Sequence, residues 1–166
     1  KRIKFDELFF LQLHLIKTKI SRKNKIKGYT LNRIGNTFND FYNNFLPFEL
    51  TNAQKRVIKE IRKDVKGHYQ MNRLLQGDVG SGKTLVALLS MLIAIDNGFQ
   101  SCLMAPTEIL SIQHFTTIVD FMKNQNVNIQ LLTGSTKTKQ RKIIHEDLLN
   151  GKIDILIGTH ALLEDK

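Results

Sequence analysis

The 166-residue chain is long enough to bury one sizeable core, and its 42% hydrophobic and 24% charged residues are those of an ordinary globular domain, which argues against a disordered or fibrous chain. No apolar run reaches the ~18 residues that a membrane-crossing helix needs, and no small-residue cleavage site follows the basic, apolar N-terminus, so neither a membrane span nor a signal peptide is expected. The single cysteine, Cys102, excludes an internal disulfide and suits a reducing cytoplasm, while 25 Lys plus Arg against 15 Asp plus Glu, a net charge of +10, favours a polyanion such as nucleic acid as partner. A solvated Lys-rich surface would explain the same charge.

In chain order, the first residue is Lys1 rather than methionine, and the chain reads as the middle of a larger polypeptide. Phe5 to Ile20 places Phe5, Leu8, Phe9, Leu11, Leu13, Leu15, Ile16 and Ile20 at helical spacing, apolar on much of the circumference. A basic stretch from Lys17 to Lys27, with Arg22, Lys23 and Lys25, leads to a second helical segment, Leu31 to Phe45. Residues 1–45 carry no motif chemistry and read as a helical linking arm that packs on a neighbouring domain.

After Pro47 the pattern becomes an alternation of helices and short apolar runs. Helices are expected at Thr51 to Val65, Lys83 to Asp96, Thr107 to Lys123 and Thr138 to Leu149. Strands are expected at Arg73 to Gln76, Ser101 to Ala105, Ile129 to Leu132 and Ile153 to Ile157. Lys66-Gly67, Asn97-Gly98 and Asn150-Gly151 mark helix ends. Strands alternating with helices of these lengths predict an α/β domain whose parallel sheet is flanked by helices on both faces. Cys102 falls in an apolar run and is expected to be a small buried hydrophobe.

The strongest motif is Gly77-Asp78-Val79-Gly80-Ser81-Gly82-Lys83-Thr84, which fits G-x-x-x-x-G-K-[ST] between an expected strand and an expected helix. Glycines let successive N–H groups turn inward on phosphate oxygens. The helix starting at Lys83 aims its positive end at the same point. Lys83 suits the β- and γ-phosphates, and the Thr84 hydroxyl suits Mg²⁺. The motif specifies nucleotide phosphate binding but no reaction, because kinases, GTPases and motors share it.

Upstream, Thr51 and Gln54 stand at capping-box spacing, so the local pattern favours a structural role for Gln54. Its amide, offering both a donor and an acceptor, also suits the adenine edge, with Phe48 near the base. Downstream, Ala105-Pro106-Thr107-Glu108, Thr133-Gly134-Ser135 and Gly158-Thr159-His160 follow the C-terminal ends of expected strands, where open parallel sheets bind ligands. Their small residues, hydroxyls and helix-start N–H groups suit a phosphodiester backbone. Taken singly, each is as well explained by a helix start, a turn or a capping histidine.

The order of these motifs, from Leu50-Thr51-x-Ala53-Gln54 through the phosphate loop, Ala105-Pro106-Thr107-Glu108-Ile109-Leu110 with Gln113-His114, Leu132-Thr133-Gly134, and Ile157-Gly158-Thr159-His160-Ala161-Leu162, resembles the first motor domain of superfamily 2 helicases, and in detail the RecG family of branched-DNA translocases. The resemblance covers about Leu46 to the end and implies a RecA-like phosphate-loop domain, residues 46–166, that is the first part of an ATP-dependent DNA helicase of recombination and repair. It implies that Lys83 and Thr84 hold ATP and Mg²⁺, and that Gln54 reads adenine as well as capping its helix. It places Pro106, Thr107, Thr133, Gly134, Thr159 and His160 on the DNA track or in its coupling to the nucleotide. By position, residues 1–45 would link this motor to a DNA-binding wedge domain. Transcription-repair coupling translocases and a non-catalytic nucleic-acid-binding module are the alternative readings.

The family pattern next requires a strand ending in Asp-Glu, for the metal and the attacking water, and then a second motor domain with an arginine finger. No Asp-Glu run follows the phosphate loop, and Glu164-Asp165, past the last loop, is not assigned that role. The chain by itself is therefore expected to bind nucleotide without hydrolysing it. The sheet is expected to be truncated, with an open edge that a partner domain or a second copy could cover.

Overall fold

The computed structural model describes residues 2–25 and 27–163; Glu164-Asp165 and the side chains of Arg22, Lys23 and Lys25 lie outside the described residues. Helix α1 (Arg2–Lys25) comes first, and its side chains Phe5, Leu8, Phe9 and Ile16 are each at least half exposed. Leu31 to Phe45 is only partly helical. It comprises one α-helical turn, α2 (Asn36–Asp40), that widens into a π-helical turn at Phe41–Phe45, while residues 31–35 are irregular.

The remaining helices are α3 (Asn52–Val65), α4 (Lys83–Asp96), α5 (Glu108–Met122) and α6 (Thr138–Leu149). Thr51 and Thr107 cap α3 and α5 rather than belonging to them, because each hydroxyl accepts an N–H of the first turn. Gly98 and Gly151 take the left-handed conformation after α4 and α6, whereas Gly67 does not after α3. There Lys66 simply continues the helical backbone one residue further.

Strands β1 (Ser101–Met104), β2 (Ile129–Leu132) and β3 (Ile155–Gly158) form a parallel sheet in the order β1-β3-β2, with Ile155 in register with both Ser101 and Ile129. β3 is central and buried on both faces, which explains its unbroken apolar run. Ile155 and Ile157 face Leu88, Leu89 and Leu92 of α4 and Ile118 of α5, whereas Leu156 turns the other way to Ile144 of α6. Each fully buried aliphatic side chain contributes about 1.5–3 kcal/mol by leaving water. The run from Leu85 to Ile93 on α4 is thus the axis of the larger core.

Two further sequence expectations fail, both through what the sheet pairs and covers. Arg73 to Gln76 is not a strand, and Leu74 is 88% exposed. A strand exists only through its neighbours' hydrogen bonds, and none of the described residues pairs with this segment. It is held instead by Arg73, whose guanidinium donates to Asp64 Oδ2 from Nε at 2.9 Å and from Nη2 at 2.6 Å, and to Glu60 at 2.6 Å from Nη1. Hydrogen bonds and charge from Asp64 and then Glu60 raise the Arg73 pKa further, keeping the clamp charged. Cys102 is exposed rather than buried, because β1 is an edge strand and Cys102 shares the sheet face of Leu156, whose apolar cluster with Leu132 and Ile144 of α6 includes no residue of β1. Met104, two residues on, is 55% exposed on the same face.

Residues 31–45 are tied to the C-terminal end of α4. Asp96 Oδ2 accepts the N–H groups of Gly35 at 2.8 Å and Phe38 at 3.1 Å, and Oδ1 accepts that of Thr37 at 3.1 Å. Asn97 exchanges hydrogen bonds with both backbone groups of Arg33. Phe38 and Phe41 then lie in the same apolar cluster as α4.

Candidate functional site

The phosphate loop joins the Arg73-anchored segment to α4. Gly80 and Gly82 take φ of +79° and +77°, a conformation L side chains resist by roughly 1–2 kcal/mol. A Cβ at Gly82 would also overlap Gln54 Nε2. The turn closes through Ser81 N–H to the Asp78 carbonyl at 3.2 Å, and Leu85 N–H returns to Gly82 at 3.0 Å. The N–H groups of Val79, Gly80, Gly82, Lys83 and Thr84 find no acceptor among the described residues. They form a ring of unspent donors at a helix N-terminus, the arrangement that suits a phosphate.

Lys83 Nζ donates to the carbonyls of Gly77 and Asp78, each at 2.7 Å, so the ammonium sits at the mouth of the loop on neutral acceptors. A phosphate oxygen would be the stronger partner, since an ionised acceptor roughly doubles such a bond. Thr84 is half-buried at the second helical position, and its hydroxyl has no partner among the described residues.

Gln54 is brought to the loop. Its Oε1 accepts Thr51 N–H at 2.8 Å, its own N–H donates to Thr51 Oγ1 at 3.2 Å, and its Nε2 donates to the Ser81 carbonyl at 2.9 Å. The capping box is complete, and it also ties α3 to the phosphate loop. At 8% exposure the amide keeps one N–H and one lone pair unspent. Phe48 is not brought in comparably: it is exposed, and no aromatic ring among the described residues packs on it.

Thr107, Thr133 and Thr159 all lie just past the C-terminal ends of strands, at one edge of the sheet. Because α4 runs back into β1 through a short turn, its N-terminus with the phosphate loop belongs to the same edge. Thr107 Oγ1 accepts Leu110 N–H at 3.3 Å, and its hydroxyl proton remains free. Pro106, Gly134 and His160 are exposed. Thr133 and Thr159 are buried. Thr159 Oγ1 caps the short 3₁₀ turn His160–Leu162 by accepting Ala161 N–H at 3.4 Å. Gly158 is required by packing, since a Cβ there would overlap the Leu132 carbonyl oxygen.

Two side chains at this edge escaped the sequence reading. Glu108 opens α5 and accepts hydroxyl protons from Thr133, at 3.0 Å, and from Ser135. Arg141 on α6 donates to the Thr133 carbonyl at 2.9 Å and to the Ala161 carbonyl at 3.4 Å. Glu108 stood inside a recognisable motif, but Arg141 had no local signal among the lysines of its helix. No strand among the described residues ends in an acidic residue, and Glu146-Asp147 lies within α6. Among the described residues no helix is long and apolar enough to cross a membrane.

Comparison with known proteins places this site in a family. Residues 51–166 match the DEAD/DEAH box helicase model. Over 165 residues the chain is 42% identical to the ATP-dependent DNA helicase RecG of Synechocystis sp., covering 99% of this chain and 20% of that protein. It is 46% identical over 166 residues to RecG of Aquifex aeolicus, covering all of this chain and 21% of the relative. The chain thus spans about a fifth of the length of these relatives. A solved structure of RecG bound to a three-way DNA junction superposes with a TM-score of 0.86 at 45% identity, covering 96% of this chain and 22% of that one. A hypothetical ATP-dependent RNA helicase from Sulfolobus tokodaii, at 18% identity and a TM-score of 0.57 over 78% of this chain and 35% of that one, shares the fold alone.

Proposed function

For a chain that belongs to the DEAD/DEAH box helicase family, we propose one specific role: it is the nucleotide-binding part of the first motor domain of a RecG-type ATP-dependent DNA helicase, working on branched DNA in the cytoplasm. The observation that carries this reading is the loop from Gly77 to Thr84, with its unspent N–H donors and the Lys83 ammonium at its mouth. Val79, Gly80, Gly82, Lys83 and Thr84 would hold the phosphates, and Lys83 would exchange the Gly77 and Asp78 carbonyls for phosphate oxygens. Thr84 would hold Mg²⁺, which would supply neutralisation of the phosphate charge. Gln54 presents its remaining N–H and lone pair to the adenine edge, with Phe48 as a further contact.

The strand-end loops at Pro106-Thr107, Thr133-Gly134 and Thr159-His160 form the DNA-facing edge. A basic chain of net charge +10 supports that assignment. Phosphoryl transfer also needs an acid to place metal and water and a cation to stabilise the developing charge. No strand among the described residues ends in an acid. We infer that the 166-residue chain binds nucleotide without turning it over.

Calorimetric titration of a non-hydrolysable ATP analogue with Mg²⁺ tests the reading. The native chain is expected to bind and the Lys83→Ala variant to lose that binding. Equal binding by the two chains would remove the phosphate loop from the mechanism. Steady ATP hydrolysis by the native chain, abolished by Lys83→Ala, would refute the division between binding and turnover.

A further inference from the structure

The three strand-end loops are joined by a side-chain network that spends the hydroxyl protons of Thr133 and Ser135, whereas that of Thr107 stays free. Glu108 Oε1 takes the hydroxyl protons of Thr133 and Ser135. A hydroxyl has one proton, so neither side chain can donate to a phosphate while the carboxylate holds it. Thr133 is 3% exposed, and its N–H donates to Thr136 Oγ1 at 2.9 Å. The donors left on this loop include the backbone N–H groups of Gly134 and Ser135, which have no acceptor among the described residues.

Arg141 completes the network from the other side. Nη2 donates to the Thr133 carbonyl and Nη1 to the Ala161 carbonyl, joining the loop after β2 to the turn after β3. Arg141 forms no ion pair among the described residues. Its fork is used for geometry, spanning two backbone segments that a single ammonium would not bridge with the same fixed spacing.

We propose that Glu108 and Arg141 form a latch that sets the spacing of the loops after β1, β2 and β3, making them positioning residues of the DNA-facing edge. Thr133 is then part of the latch rather than a phosphate contact. DNA is met by the backbone N–H groups of Gly134 and Ser135, which the latch holds in place. The inference rests on the reading of this edge as a DNA track.

The test measures binding of a fluorescent three-way DNA junction across a salt series, together with amide hydrogen exchange. Glu108→Ala is expected to weaken binding about tenfold, while Glu108→Gln stays within about twofold, because the amide oxygen still accepts both hydroxyl protons. Arg141→Lys and Arg141→Met are expected to weaken binding alike with an unchanged salt slope, since Arg141 touches no phosphate. Exchange at residues 133–136 should quicken in Glu108→Ala and Arg141→Met while that of Ile155 to Ile157 does not.

Equal tightening by both Glu108 variants would overturn the proposal, making Glu108 only a repelling charge. Native affinity in Arg141→Lys, with a salt slope reduced by about 0.9 in Arg141→Met, would also overturn it, because Arg141 would then be a phosphate contact. Absence of junction binding by the native chain would overturn the DNA-track reading, and the exchange data would still decide the latch. Unchanged exchange at 133–136 in all variants overturns it.

Discussion

Substitution of Asp96 sets two effects of opposite sign against each other. Asp96 is the last residue of α4, where a negative charge meets the negative end of the helix dipole. Removing the charge on that ground alone would stabilise the chain by about 0.3–1 kcal/mol. Against this, the carboxylate accepts N–H groups of Gly35, Thr37 and Phe38 at 2.8, 3.1 and 3.1 Å. Hydrogen bonds to an ionised group contribute about 1.5–3 kcal/mol each when fully buried. These are part-buried and some of the N–H groups can rehydrate, so about 1 kcal/mol each is appropriate, or roughly 3 kcal/mol together. The bonds outweigh the dipole, and Asp96→Ala should lose about 2–3 kcal/mol. In a domain of this size, that lowers the melting temperature by roughly 4–12 °C. Asp96→Asn can keep an oxygen for Gly35 and Phe38 but turns an NH₂ toward Thr37, and should fall about halfway. Thermal melts followed by far-ultraviolet circular dichroism measure both variants. A melting temperature for Asp96→Ala within 2 °C of native, or above it, would refute the reasoning and show that the dipole dominates.

Further outcomes follow from the loop and the edge strand. Gly82→Ala must put a side chain at φ +77° and against Gln54 Nε2. The backbone strain alone is roughly 1–2 kcal/mol, so ATP-analogue binding should weaken at least tenfold in calorimetry; native affinity would show that the loop does not need this conformation. Cys102, exposed at the edge strand, is still partly shielded from water by its surroundings, and that desolvation raises its thiol pKa. The reactive thiolate is therefore scarce at neutral pH and increases as pH rises toward that raised value. Alkylation of the folded chain should be slower at pH 7 than that of the chain unfolded in urea, and should accelerate about tenfold per pH unit. Equal neutral-pH rates in the two states would contradict the shift.

The elements that were legible in the sequence are those defined by local contacts. An α-helix closes its hydrogen bonds within four residues, so the apolar periodicity of α4 and the caps Thr51 and Thr107 located helices nearly to the residue. The Gly77 to Thr84 loop was legible because its chemistry is written in eight consecutive residues. Arg73 to Gln76 has strand-like composition but no pairing neighbour among the described residues, and composition does not supply one. Cys102 has the same composition whether its strand is central or at an edge, and only the sheet order exposes it.

What the sequence by itself determined is the α/β class, the spans of the helices after Pro47 and the phosphate loop, because each arises from residues close together in the chain. The tertiary structure alone decided that Asp96 reaches back to residues 35–38, that Gln54 ties α3 to Ser81, and that Glu108 and Arg141 join loops 20 or more residues apart. The physical reason is that a charged or polar side chain finds its partners by position in space. That position is set by burial of the α4 and β3 core, which carries no local mark on the residues it brings together.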